Sequence, residues 1–320
     1  MNKKITVALL SGGVSSERDV SIKSGDQVFQ HLDKEKYHVL RYDPRADIPK
    51  LISDAPGIDI AMIMLHGPYG EDGTVQGLLD LLNIPYQCSG VLGSAAAMNK
   101  LTSKHLYEQA GIPSPAYLAM EVNERIDTGA CVRRLGLPLV VKPVCGGSSI
   151  GTSIVYSEGK LADAAAFAFA QDDTILLETF IQGTEITGAV IGNNDIEALP
   201  LVQIIPGADR GFFDYAAKYD NAETTEICPA RIPDDAAANA RNLAVRAHRA
   251  LFCQGYSRTD MIVKDADVYV LETNTIPGMT TSSLLPQAAA KAGMPFSMLL
   301  DRLIELGLER HRHAGKNRCR

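Results

Sequence analysis

The residues from Gly255 to Gly278 carry the clearest chemical pattern in the chain. They divide into two runs, Tyr256 to Val263 and Asp267 to Asn274, followed by Thr275-Ile276-Pro277-Gly278. On a β-strand alternate side chains share a face, so Arg258 goes with Asp260, and Glu272 with Asn274. If the runs pair as neighbours, one sheet surface presents two carboxylates, an amide oxygen and a guanidinium. Hard oxygen donors of this kind suit Mg²⁺, which takes a few carboxylates and leaves phosphates and waters to complete an octahedron. Arg258 would then meet negative charge forming on a reacting oxygen. The same spacing also fits a solvated strand face, with Asp265 and Asp267 marking a hairpin turn.

Other polar segments bear on that choice. The loop Gly12-Gly13-Val14-Ser15-Ser16-Glu17-Arg18 enters a helix with an acid in its first turn; by itself Glu17 need do no more than complement the helix dipole. The loop from His66 to Gly77 is more demanding, because Gly67, Gly70 and Gly73 imply close backbone approach or positive φ. His66 leaves an apolar strand at the end where such sheets bind ligands. The run Leu139-Val140-Val141-Lys142 leads into Cys145-Gly146-Gly147-Ser148-Ser149. A lysine closing a strand before a Gly/Ser loop fits a phosphate-covering flap, with backbone N–H groups as anion donors; a simple glycine hairpin is the alternative. Thr174 to Ile181 is apolar enough to wall an adenine pocket with Glu178 at its rim, and equally suits a buried strand without a ligand. Residues 206–225 form a long polar loop with Phe212, Tyr215, Lys218 and Tyr219, expected to act as a lid.

These groups need a scaffold. The chain has 320 residues, 46% hydrophobic and 22% charged, enough for two or three cores. Apolar segments at Ile5–Leu10, His38–Tyr42 and Ile58–Leu65 alternate with helical spacing at Val20–Leu32 and Val75–Leu82, the pattern of an open parallel sheet with ligands beyond its carboxyl ends. The composition changes after Lys100, giving an expected division into 1–99, 100–184 and 185–312. Residues 313–320 are expected to be a disordered basic tail. No apolar run approaches a membrane span, and the short one at the start ends in Gly12-Gly13 like a first strand and not a signal peptide, so a cytoplasmic protein is expected. Six scattered cysteines without a C-x-x-C pair point to reduced, packed thiols. A net charge of −7 argues against a nucleic-acid surface.

Taken in order, Gly12-Gly13 to Arg18, His66-Gly-x-x-Gly-Glu-Asp-Gly, Met98-Asn99-Lys100, Lys142-Pro143, Gly147-Ser148-Ser149, Lys218-Tyr219, Arg258-x-Asp260 and Glu272-x-Asn274-x-x-Pro277-Gly278 resemble the D-alanine–D-alanine ligase family of the ATP-grasp superfamily. The resemblance implies an α/β chain of ATP-grasp fold with an N-terminal open parallel-sheet domain. It implies ATP and two Mg²⁺ (or Mn²⁺), with Asp260, Glu272 and Asn274 as metal ligands. Lys100, Lys142, Gly147, Ser148, Ser149, Glu178, Phe180, Ile181, Glu185 and Lys218 match nucleotide contacts. Glu17 and His66 match residues holding a first D-alanine; Ser283 and Leu284 match those holding a second. Arg258 and Gly278 match oxyanion stabilisers, while Glu17, Ser148 and Tyr219 match a set that closes the lid. Gly146, Thr179 and Gln87-Cys88-Ser89 depart from the family pattern. A homodimer is typical of the family. The implied reaction joins two D-alanines for peptidoglycan synthesis through a D-alanyl phosphate. The alternatives are a ligase using D-serine or D-lactate second, and a non-catalytic nucleotide-binding module.

Overall fold

The computed structural model describes residues 3–207 and 224–318, with side chains through residue 313. Three strands, β1 (Ile5–Leu10), β2 (Tyr37–Tyr42) and β3 (Ile60–Ile63), form a parallel sheet in the order β2-β1-β3. Val7 to Leu10 and Ile60 to Ile63 have no exposed surface, which is why these strands read as unbroken apolar runs. Helices α1 (Arg18–His31) and α2 (Ile48–Asp54) connect them, and α3 (Thr74–Leu81) follows β3. Gln87 has a structural consequence that its sequence context does not suggest. Its side-chain amide accepts from Ile63 N at 3.0 Å and donates to Ile63 O at 2.9 Å. It thereby satisfies the Ile63 backbone on the outer edge of β3, the side turned away from β1.

Beyond α4 (Val91–Met98) and α5 (Lys100–Gln109) lies the second sheet, of β4 (Tyr117–Glu121), β5 (Leu139–Pro143), β6 (Ser153–Val155) and β7 (Thr174–Thr179), antiparallel in the order β4-β7-β5-β6. Leu139, Val141, Ile175 and Leu177 point into a core with residues of α6 (Thr128–Leu135) and α7 (Leu161–Phe169). By alternation Val140, Lys142, Leu176 and Glu178 take the other face.

The third sheet contains β8 (Thr184–Ile191), β9 (Glu197–Ala198), β10 (Val202–Ile205), β11 (Thr225–Ile227), β12 (Tyr256–Lys264) and β13 (Asp267–Asn274). Its main order is β11-β10-β8-β12-β13, with β9 beside β8. Helix α8 (Asp234–Ala250) lays Ala236, Ala240, Leu243, Ala244 and Ala247 against it. This core also takes in Ala96, Ala97 and Tyr107, so α4 and α5 pack with the third sheet although they precede the second in sequence.

The end of the chain returns to its beginning. Leu299, Leu300 and Leu303 of α10 (Phe296–Arg318), after α9 (Leu284–Lys291), are fully buried with Val7 to Leu10 and Ile60 to Leu65 in one continuous core. The helical backbone runs to Arg318, past the point where a disordered tail was expected.

Candidate active site

The paired-strand expectation holds in register as well as in position. Arg258 faces Asn274 and Asp260 faces Glu272 across β12 and β13. On the opposite face Thr259 and Thr273 share a 3.0 Å hydroxyl contact, and Tyr107 on α5 reaches Thr273 at 2.8 Å. These buried hydroxyls fix which way the ladder faces, because a one-residue slip would carry them to the polar side. Arg258 Nε and Nη2 each donate to Asp260 at 2.9 Å, and Thr187 Oγ1 adds a 2.7 Å bond. Immediately beyond Asp260 the register shifts, from Asp260 opposite Glu272 to Met261 opposite Val270. The bulge leaves Leu271 as an extra residue, so Leu271 lines the same cleft as Glu272 instead of alternating away.

Two clefts meet over this ladder. One lies between the second and third sheets. Lys100, Lys142, Gly147, Ser148, Ser149 and Glu178 line it, as do Phe180, Ile181, Glu185, Asp260 and Glu272. The other lies between the first sheet's loops and the third sheet. It contains Glu17, His66, Arg258, Asn274, Gly278, Ser283 and Leu284. Gly147, Ser148 and Glu272 border both, so ligands in the two clefts would touch there.

The loop over that junction is held by specific contacts. Ser148 Oγ donates to Glu17 Oε1, joining the second unit to the first. A Cβ on Gly147 would stand 2.8 Å from Glu17 Oε2, so a larger residue here would displace the carboxylate that Ser148 holds. Ser148 (φ 52°) and Ser149 (φ 58°) are both left-handed, an uncommon backbone for non-glycine residues. Lys100 Nζ donates to Gly146 O at 2.7 Å and lies 3.8 Å from Glu272. Thr179 directs its hydroxyl to Leu135 O at 2.9 Å, and so serves the backbone of the wall.

In the second cleft Ser15 Oγ donates to His66 O at 2.7 Å and accepts from Glu17 N at 3.2 Å, tying the two loops of the first sheet together. Burial lowers the His66 pKa, against the opposing pull of Glu17. Glu71 also lines this cleft and accepts from Gly67 N at 2.8 Å. Burial and the nearby Glu17 push its carboxyl up to about 8. Ser283 precedes α9, and its Oγ accepts from Thr280 N at 3.1 Å.

One expected position is corrected. Glu178 does not sit at a polar rim. It is 2% exposed, with Lys104 Nζ 3.1 Å from Oε1 and Lys142 Nζ 2.9 Å from Oε2. Burial works against its charge, but Lys142 and Lys104 together hold its pKa below the ordinary value. Lys218 and Tyr219 lie outside the described residues, as does most of the expected lid. Sequence reasoning missed Glu71, Lys104, Leu271 and Glu226 of β11, which reaches Gln287 across the second cleft. The Glu in His66-Gly-x-x-Gly-Glu was the one visible signal among them; the other three depend on contacts remote in sequence.

Asp260, Glu272 and Asn274 also pass a test of donor chemistry for a divalent cation. They offer two carboxylates and an amide on adjacent strands, Asp260 and Glu272 bordering the cleft lined by Lys100 and Lys142 and Asn274 bordering the second cleft, and a hard cation takes its remaining ligands from substrate oxygens and water.

Comparison with known proteins gives the same architecture. Family models described as D-ala D-ala ligase N-terminus and C-terminus match residues 41–89 and 106–305. A D-alanine–D-alanine ligase of Syntrophobacter fumaroxidans is 58% identical over 307 residues, 96% of this chain and 99% of the relative. The D-alanine–D-alanine ligase of Bacillus anthracis, solved in complex with ATP, superposes with a TM-score of 0.84 at 36% identity, covering 97% of this chain and 99% of that one. The VanG D-Ala:D-Ser ligase of Enterococcus faecalis gives 0.80 at 29% identity, covering 95% and 99%. The arrangement of sheets around a central cleft is thus the ATP-grasp fold of a carboxylate-activating ligase. Within that class, the chain belongs to the D-alanine–D-alanine ligase family.

Proposed function

We propose that this protein uses ATP to join two D-alanines into D-alanyl-D-alanine, a building block of peptidoglycan. The observation that carries the reading is the meeting of two clefts at Gly147, Ser148 and Glu272: a lysine-lined cleft suited to a nucleotide opens onto one suited to small zwitterions.

In the first step a carboxylate oxygen of one D-alanine attacks the γ-phosphorus of ATP, releasing ADP and forming the D-alanyl phosphate. A carboxylate and a triphosphate repel each other, so positive charge is required where they meet. Lys142 and Lys100 supply it from the chain. A divalent cation held by Asp260, Glu272 and Asn274 would add charge neutralisation at the phosphates. Glu17 and His66 are assigned to the ammonium side of the first D-alanine, and the Glu17–Ser148 bond couples their position to the Gly/Ser loop.

In the second step the free amine of the other D-alanine attacks the acyl carbon, inorganic phosphate leaves, and the amine loses its proton. Arg258 and the Gly278 N–H are assigned to the oxygen that gains charge as the tetrahedral species forms. Ser283 and Leu284, at the start of α9, are assigned to the second D-alanine. Water would destroy the acyl phosphate, so a cover is needed, and residues 206–225 with Lys218 and Tyr219 are assigned that role. A homodimer in the cytoplasm is part of the same proposal; no helix among the described residues is long and apolar enough to cross a membrane.

The test is phosphate release from Mg·ATP by the purified protein with D-alanine, L-alanine, D-serine or D-lactate, with mass analysis of products. The expected result is turnover with D-alanine alone, yielding the dipeptide. Turnover only with a mixed pair would reassign the second substrate, and turnover with none would favour a non-catalytic nucleotide binder.

A further inference from the structure

Lys100 and Lys104 stand four residues apart on α5 and therefore on one face, yet they reach different neighbours. Lys100 borders the nucleotide cleft and contacts the Gly/Ser loop through Gly146 O. Lys104 does not border it: it is 1% exposed, donates to Pro115 O at 3.1 Å, and lies over the Tyr117 ring at 4.9 Å. Its 3.1 Å approach to Glu178 Oε1 is an ion pair without hydrogen-bond alignment. Lys142 holds the other oxygen at 2.9 Å and is itself in the cleft wall. Glu108 is the other acid that acts on Lys104, from the same helix.

A buried ammonium is costly unless an opposite charge and hydrogen bonds offset its desolvation, and Glu178 and Pro115 O do so for Lys104. Two lysines on one carboxylate leave the trio with one positive charge in excess. That surplus opens to the cleft only through Lys142. Without Lys104, Glu178 and Lys142 would close into a neutral pair, and phosphates would have to compete with Glu178 for the Lys142 ammonium.

We propose that Lys104 is a positioning residue for the nucleotide: it neutralises Glu178 from the side remote from the cleft, and so leaves the Lys142 charge available to the phosphates. This rests on the nucleotide reading of the cleft.

The test measures inhibition by ADP and by adenosine, each competing with ATP in the full-length enzyme. Lys104→Met should weaken ADP at least tenfold and adenosine less than threefold, raising KM for ATP while kcat at saturation stays within threefold. A merely structural role would weaken both ligands alike. Removing both charges, in Lys104→Met/Glu178→Gln, should return the ratio of adenosine to ADP inhibition constants toward the wild-type value; if Lys104→Met fails to fold, Lys104→Gln is read in its place. An unchanged ratio in Lys104→Met, or a double variant that does not recover it, overturns the inference. Lys142→Met separates the two readings: if it leaves the ratio unchanged, the nucleotide assignment of the cleft fails; if it lowers the ratio while Lys104→Met does not, only the Lys104 inference fails.

Discussion

At the scale of single residues, Arg258 has two tasks that a substitution would expose together. Its guanidinium holds Asp260 by two 2.9 Å bonds and also points into the cleft assigned to the reaction. Arg258→Ala should lower kcat by about 2.7–4 kcal/mol of transition-state stabilisation, the loss typical of an oxyanion donor. It should also lower the melting temperature, because Asp260 keeps only Thr187 and Asn274. A kcat within threefold of wild type would remove Arg258 from the chemistry. Glu71 offers a pH test. Its folded-state pKa, pushed up to about 8 from an ordinary 4.5, means that the folded protein binds the proton more tightly than the unfolded chain. The stability this confers is present at low pH and is lost as pH rises through about 8. Glu71→Gln cannot ionise, so its melting temperature should gain on wild type between pH 6 and pH 9. Parallel melting curves over that range would show that Glu71 does not hold the proton.

At the scale of elements, the ladder of β12 and β13 owes its facing to what lies beneath it. Thr273→Val would leave the Tyr107 hydroxyl, which is fully buried, without the partner it has at 2.8 Å. The expected cost is about 1–3 kcal/mol in urea unfolding, with KM for ATP within twofold because Asn274 and Glu272 keep their face. A loss of metal-dependent activity larger than the loss of stability would instead show that the hydroxyl layer sets ligand geometry. The alternation of this ladder was readable from Arg258-x-Asp260 and Glu272-x-Asn274. The bulge that turns Leu271 into the cleft was not, since a bulge is decided by how two strands and the sheet behind them fit.

At the scale of the whole molecule, the last helix closes the first sheet. Arg310 donates from Nη1 to Cys88 O and from Nη2 to Tyr86 O at 3.1 Å, with its guanidinium carbon 4.1 Å from the Tyr86 ring centroid. Arg310→Ala should therefore cost about 1.5–3 kcal/mol, the range for hydrogen bonds from a charged group, read as a shift in the urea midpoint at constant slope. Leu303 is fully buried in the core that spans both ends of the chain, and Leu303→Ala should cost about 2–5 kcal/mol. A midpoint unchanged in either variant would mean that α10 contributes little to the stability of the first sheet.

The sequence by itself determined the local frames of the groups assigned to the reaction. Strand alternation, the glycines of the His66 loop and the Gly/Ser run after Lys142 are short-range patterns, and short-range patterns are what side-chain period and backbone freedom record. Tertiary structure alone decided what those groups meet. Glu178 reads as a rim residue in a strand, but becomes a buried anion because α5 brings Lys104 to one oxygen and β5 brings Lys142 to the other. Glu17 gains Ser148 as a partner only when the loop of the second unit closes over the first. Gln87 satisfies the end of β3, and α10 fills a core begun at Val7, because contacts between remote segments depend on how whole surfaces pack. Charge and burial at a site are properties of that packing, which is why they could not be read from residue spacing.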